Sequence, residues 1–102
     1  MYAMTGKLAA QPGKRDALIE ILLRASEIVS GISGCRSYIV NEDMKDEITI
    51  WVFEVWEDKE THDAVLKDER VRALITEAMP LMGGAPEGFE LRVRGGYGIE
   101  QK

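Results

Sequence analysis

The stretch Ile48 to Leu66, ITIWVFEVWEDKETHDAVL, constrains the fold more than any other part of the chain. From Ile48 to Trp56 every residue except Glu54 is β-branched or aromatic, which favours a strand. Side chains alternate across a strand. Ile50, Val52, Glu54 and Trp56 therefore share one face, and Thr49, Trp51, Phe53 and Val55 share the other. Both faces are largely apolar, whereas an antiparallel strand with one wet face alternates apolar with polar. This strand needs cover on both sides. The chain's own helices can supply one cover. With 102 residues there is little material for a third layer, so a second copy of the protein is the economical source of the other.

The rest of the chain supplies the helices and the neighbouring strands. Tyr2 to Ala10 reads as a first strand, and Gln11-Pro12-Gly13 breaks it. Lys14 to about Gly31 reads as a helix, with Leu18, Ile21, Leu22, Ala25, Ile28 and Val29 on one stripe. Cys35 to about Glu42 is a second strand, and Asp43-Met44-Lys45-Asp46 is a polar turn into the central one. Asp58 is a suitable N-cap for a short helix through about Lys67. Asp68 restarts helical order, with Val71, Leu74, Ile75, Ala78 and Met79 on a second stripe that ends near Pro80. Phe89, Leu91 and Val93 alternate with charged residues in a last strand expected to reach Tyr97. The order β-α-β-β-α-β over residues 1–102 predicts a single α+β domain of ferredoxin-like type. Its helices cover one face of an antiparallel sheet. Pairing of two sheets through the other face would give a dimeric α+β barrel.

Composition narrows the function. Acidic residues outnumber basic ones by 18 to 13, a net charge of -5, which argues against a nucleic-acid partner. No apolar run is long enough for a membrane helix, and the N-terminus does not read as a signal peptide. A single cysteine, Cys35, cannot form an internal disulfide, and these features together predict a cytoplasmic protein. With one histidine and one cysteine far apart, no metal site is expected. Phosphate loops and nucleophile elbows are absent.

The segments PGK at the first helix, SGISGCRSYIV into the second strand, and FEVWEDKETHDAVL from the third strand into the second helix resemble the antibiotic biosynthesis monooxygenase family and its quinol-monooxygenase-like relatives. The likeness extends over nearly the whole chain. It implies a homodimer with one pocket per subunit, between the sheet and its own helices. It also implies oxidation of a small electron-rich aromatic or quinol by O2, with no cofactor. Members of the family use a Trp at the end of the third strand, a residue early in the next helix, an Arg farther along, and an Asn four residues before the Trp. The matching positions are Trp56, His62, Arg72 and Val52, so the Asn is replaced. That replacement favours a second reading, a non-catalytic dimeric module that binds a small ligand or assists a pathway enzyme. An isomerase on the same barrel is a third. The haem-degrading branch is disfavoured, because Gly6, Val65 and Ile75 stand where it needs Asn, Trp and His.

The residues that bear on chemistry each have a structural alternative. His62 is the only imidazole, a group whose ordinary pKa lies near neutrality, and it is the best candidate base. A helical side chain leans toward the N-terminus of its helix, which carries His62 toward Trp56. Trp56 can be a substrate wall or core filler, and Trp51, on the opposite face, a dimer contact. Arg72 can stabilise an anion or be solvated. Glu54, among apolar neighbours, should be paired with an Arg or act as a base of raised pKa. Met79 and Met82 can line an adaptable apolar pocket, with Tyr38, Asn41 and Val52 as further candidates for substrate contact.

Overall fold

The computed structural model describes residues 1–98. It contains β1 (Tyr2–Ala9), α1 (Arg15–Ser30), β2 (Cys35–Glu42), β3 (Thr49–Trp56), α2 (Lys59–Val65), α3 (Glu69–Ala78), a 3₁₀ turn (Met79–Leu81) and β4 (Glu87–Arg92). The four strands form one antiparallel sheet in the order β2-β3-β1-β4, so β3 and β1 are central. This is the ferredoxin-like α+β arrangement, with the helices on one face.

Register decides which residues meet the helices. Tyr2 pairs with Trp56, Gly6 with Val52 and Leu8 with Ile50, while Tyr38 pairs with Glu54 and Val40 with Val52. Those residues share the inner face. Ile50, Val52 and Trp56 are 0–3% exposed beneath α1 and α3. The core divides into two clusters along this face. One joins Ala10, Leu18, Ile50 and Val52, and the other joins Val29, Trp56, Val65 and Val71. Burying an aliphatic side chain stabilises by roughly 1.5–3 kcal/mol, so these residues dominate the packing.

The outer face is different. One row across the sheet reads Ile39, Phe53, Thr5 and Phe89, and the next reads Ser37, Val55, Ala3 and Leu91. Ile39, Phe53, Phe89 and Leu91 are each about half exposed. Trp51 lies at one end of this face, where its indole N–H donates to Asp43 Oδ2 at 3.0 Å and Lys7 Nζ sits 5.5 Å from its ring.

Local chemistry explains the element ends. Asp58 caps α2 by accepting from the Thr61 N–H at 2.8 Å, and Asp68 caps α3 through the Arg70 N–H at 2.8 Å. Gly34 opens β2 at φ +100, and a Cβ there would lie 2.7 Å from Thr61 Cγ2, so glycine admits the close approach of α2. The hairpin turn is built by Asp43 Oδ1, which accepts from the Lys45 and Asp46 N–H groups. Arg15 ties that turn to the start of α1 by donating to the Asp43 and Asp46 carbonyls.

Some boundaries differ from the sequence expectation. The central strand starts at Thr49 rather than Ile48, and α2 ends at Val65 rather than Lys67. The last strand does not reach Tyr97. It stops at Arg92, which is opposite Tyr2, because β1 has no earlier strand residue to pair with it. Beyond that point Gly95, Gly96 and Gly98 all adopt positive φ and turn the chain out of an extended path.

Candidate active site

A cavity of about 330 Å³ lies between the inner face of the sheet and the helices. Its volume falls at the lower end of the roughly 300–1,000 Å³ usual for small-molecule sites. The lining is almost wholly apolar. Leu18, Ile21, Leu22, Ala25 and Val29 of α1 face Val71, Leu74, Ile75 and Ala78 of α3 across it. Both sets are the apolar stripes visible in the sequence, so the cavity is where two amphipathic helices and a sheet fail to close completely. Leu66, Ile75 and Met79 line it yet remain exposed, and so mark its opening.

Three polar side chains reach this space among the described residues, namely Tyr38, Glu54 and His62. They converge from three elements. Tyr38 and Glu54 are register partners on β2 and β3, and His62 projects from α2. The His62 Nε2 atom is 3.8 Å from Glu54 Oε1, and the two side chains are only 12% and 15% exposed. Glu54 Oε1 also accepts from the Trp56 indole N–H at 3.0 Å. On its other side, His62 Nδ1 is 2.9 Å from Asp63 Oδ1. The imidazole is held edge-on against Trp56, with centroids 5.8 Å apart, and tilted against Tyr2 at 5.2 Å.

The electrostatics follow from this placement. Burial pushes the Glu54 carboxyl above its ordinary pKa, while the Trp56 hydrogen bond and the His62 charge pull the other way. Burial, helped by the Glu54 charge, likewise pushes the Tyr38 phenol up. Tyr2 is pushed up to about 12, chiefly by burial and by its hydrogen bond to Glu90. Asp63 is held below the usual carboxylate range, chiefly by its hydrogen bond with His62. The site thus has a carboxyl that resists ionisation on one side of an imidazole and a firmly ionised carboxylate on the other. Such a group can accept, hold and return a proton at the end of an apolar chamber.

Of the residues singled out in the sequence, His62, Tyr38, Met79 and Met82 line the cavity. Trp56 does not line it. It is fully buried behind Glu54 and His62, where it positions both. Val52 is also outside the lining, sealed in the cluster with Leu18 and Ile50. Asn41 lies opposite Trp51 on the outer face, and its amide donates to the Trp51 carbonyl at 3.0 Å. Arg72 is exposed and does not reach the cavity, because α3 presents Val71, Leu74, Ile75 and Ala78 inward and turns position 72 to solvent. Among the described residues Glu54 has no Arg partner. Its partners are Trp56 and His62, since the cavity wall brings no guanidinium near it. The sequence alone does not single out Asp63 and Tyr2. The adjacency of His62 and Asp63 in sequence is a weak signal, because consecutive helical residues do not ordinarily face each other. Tyr2 becomes readable only with the β1–β3 register. Among the described residues, no group of three or more His, Cys, Asp and Glu side chains is placed to hold a metal ion. Among the same residues, no helix is long and apolar enough to cross a membrane.

The profile of the antibiotic biosynthesis monooxygenase family matches residues 1–77. Among solved structures, a Chloroflexus aurantiacus J-10-fl protein provisionally named an antibiotic biosynthesis monooxygenase is 41% identical, with a TM-score of 0.87. That match covers 97% of this chain and 98% of the other. Two further proteins under the same provisional name support the fold alone. One from Nitrosomonas europaea is 13% identical with a TM-score of 0.86, covering 92% of this chain and 99% of that one. One from Deinococcus radiodurans is 19% identical with a TM-score of 0.84, covering 99% and 100%. No curated protein matches. The profile match over most of the chain, together with the 41% identical structure, places this protein in the antibiotic biosynthesis monooxygenase family.

Proposed function

We propose that the protein is a homodimeric, cofactor-independent monooxygenase that oxidises an electron-rich aromatic or quinol-type molecule with O2. The observation that carries this reading is the Glu54–His62 pair at one end of an otherwise apolar cavity. Apolar walls suit an aromatic body, and the pair offers a proton acceptor to an acidic C–H or phenolic O–H. Removal of that proton to His62 Nε2 leaves an electron-rich anion. The anion passes one electron to O2, and the resulting radical and superoxide combine to form a C–O bond. Protonation by the imidazolium gives a hydroperoxide. Loss of water across its O–O bond then turns a CH2 group into a carbonyl, with one oxygen atom retained and the other released as water. Arg72 lies off the cavity, so the developing negative charge faces the imidazolium and the Tyr38 hydroxyl rather than a guanidinium. In the homodimer the half-exposed apolar row on the outer sheet face is covered by a second copy.

A second reading, a non-catalytic binding module, is favoured by one observation. Val52 occupies the position where the family likeness calls for Asn, and no amide replaces it in the cavity lining. Oxygen uptake separates the two. A panel of hydroquinones and anthrones is supplied without cofactor, and uptake is compared with autoxidation. Uptake above that background, lost in His62→Ala, supports the oxygenase. Saturable binding without uptake supports the module.

A further inference from the structure

The two nitrogens of His62 face different carboxyl groups, and the distances are unequal. Nδ1 is within hydrogen-bond distance of Asp63 at 2.9 Å, whereas Nε2 is 3.8 Å from Glu54, beyond it. An ionised carboxylate can only accept, so a neutral imidazole bonded to Asp63 carries its proton on Nδ1. Nε2 then keeps its lone pair. A histidine in solution prefers the opposite tautomer, so this arrangement needs a holder.

Asp63 is itself held. Its Oδ2 lies 3.4 Å from Lys59 Nζ one helical turn back, and Lys59 reaches Glu90 of β4 at 2.9 Å. Glu90 in turn accepts from the Tyr2 hydroxyl at 2.8 Å, and the Tyr2 ring packs on His62. The carboxylate is thereby tied to β4 and β1, and the imidazole is pressed between Asp63, Tyr2 and Trp56. We propose that Asp63 is a positioning residue that fixes His62 as its Nδ1–H tautomer and so presents a basic Nε2 to the Glu54 end of the cavity. Glu54 meets the working nitrogen, and Asp63 orients the ring from behind. The catalytic consequence rests on the oxygenase reading, but the location of the proton does not.

His62 is the only histidine, so its ring nitrogens can be observed by long-range ¹H–¹⁵N correlation of the intact protein without assignment. Protonated and unprotonated nitrogens of neutral imidazole resonate far apart. At a pH where the ring is neutral, the unaltered protein is expected to show Nδ1–H. Asp63→Ala is expected to convert it to Nε2–H, and Asp63→Asn, which keeps an acceptor oxygen, to retain Nδ1–H. Melting and circular dichroism confirm that each variant is folded. With a substrate from the oxygen-uptake panel, Asp63→Ala should lower kcat by at least ~10-fold with KM little changed, as part of the ~10²- to 10⁴-fold a general base contributes. An Nε2–H signal in the unaltered protein, or an unchanged Nδ1–H signal in Asp63→Ala, overturns the assignment. The tautomer is read without substrate, so the two ideas fail separately. Absent oxygen uptake with a sound Nδ1–H signal removes the oxygenase and leaves Asp63 in place. Uptake with an Nε2–H signal leaves an oxygenase but removes both Asp63 as the holder of the ring and Nε2 as the base.

Discussion

The two faces of the central strand carry similar amounts of apolar surface and meet opposite fates. On the inner face Ile50 and Val52 are sealed by the helices, at 0% and 3% exposure. On the outer face Phe53, one residue away, is 46% exposed, in a row with Ile39 and Phe89. The inner face spends its apolar surface on the fold and leaves a chamber where closure is incomplete. The outer face leaves Ile39, Phe53, Phe89 and Leu91 about half exposed, and the proposed homodimer would cover them. The same alternation in sequence therefore serves the fold on one side and leaves a half-exposed apolar row on the other.

Phe53→Asp should separate the two faces most strongly. A charge buried in an interface without a partner costs about 3–5 kcal/mol, a loss of at least ~10²-fold in association. Sedimentation of the unaltered protein at micromolar concentration should give twice the 11.4 kDa chain mass, and that of Phe53→Asp one chain mass. An unaltered protein that sediments as a monomer would show that the outer face does not mediate association. Trp51→Glu should act in the same direction, with the added loss of the bond to Asp43.

The next contrast is between His62 and Arg72, one lining the chamber and the other exposed beside it. His62→Ala should lower the turnover of a genuine substrate by ~10²-fold or more while the oligomer survives. Arg72→Ala should change turnover by less than ~3-fold, because an exposed charge off the cavity contributes little once screened. Steady-state rates on a substrate from the oxygen-uptake panel decide between them. A larger loss from Arg72 than from His62 would mean that α3 moves toward the cavity when the substrate binds.

A smaller effect separates the faces by concentration. Val52→Ala removes two buried carbons and should cost about 2 kcal/mol. Because that loss lies within each chain, it should lower the melting midpoint similarly at all protein concentrations. Phe53→Ala should instead flatten the rise of the midpoint with concentration that a dimer shows. Thermal melts over a hundredfold concentration range distinguish the two patterns.

These contrasts also show what the sequence could carry. Element order, both helical stripes and the doubly apolar strand were legible because periodicity is local. His62 was legible because its type is unique in the chain and helical side chains lean in a known direction. Arg72 falls off the cavity by a rotation about α3. A stripe of four or five apolar positions fixes the helix's inward face only to within about one residue, and position 72 borders it. Glu54 is legible as a buried acid in need of a partner, but the identity of that partner depends on which side chains three separate elements bring together. Asn41 and Trp51 are bonded across a pair of strands whose register no single segment states. The last strand stopped short because strand length is set by the neighbour, and β1 begins at Tyr2.

The finest test concerns Glu54, a carboxyl that the inner face places among apolar side chains. Burial raises its pKa from the ordinary 4.5, and the Trp56 hydrogen bond and His62 charge only partly offset that. The folded chain therefore binds this proton more tightly than the unfolded chain does. By linkage, its contribution to stability is greatest where both states are protonated and is lost as pH rises from about 4.5 through the folded value. Asp58, Asp63, Asp68 and Glu90 have lowered pKa values and act in the opposite direction, losing stability as pH falls. Overall stability thus mixes both trends, and only a difference isolates Glu54. Glu54→Gln keeps an oxygen that can accept from the Trp56 indole and removes the ionisation. It should melt higher than the parent near neutral pH, with a gap that narrows toward zero below about pH 4. Thermal midpoints of both proteins across that range provide the check. If the two curves run parallel, the carboxyl ionises in the folded chain as readily as in the unfolded one, and the inner face holds no strained acid. If they diverge with pH as described, the chamber that the helices leave open also keeps a proton that water would remove.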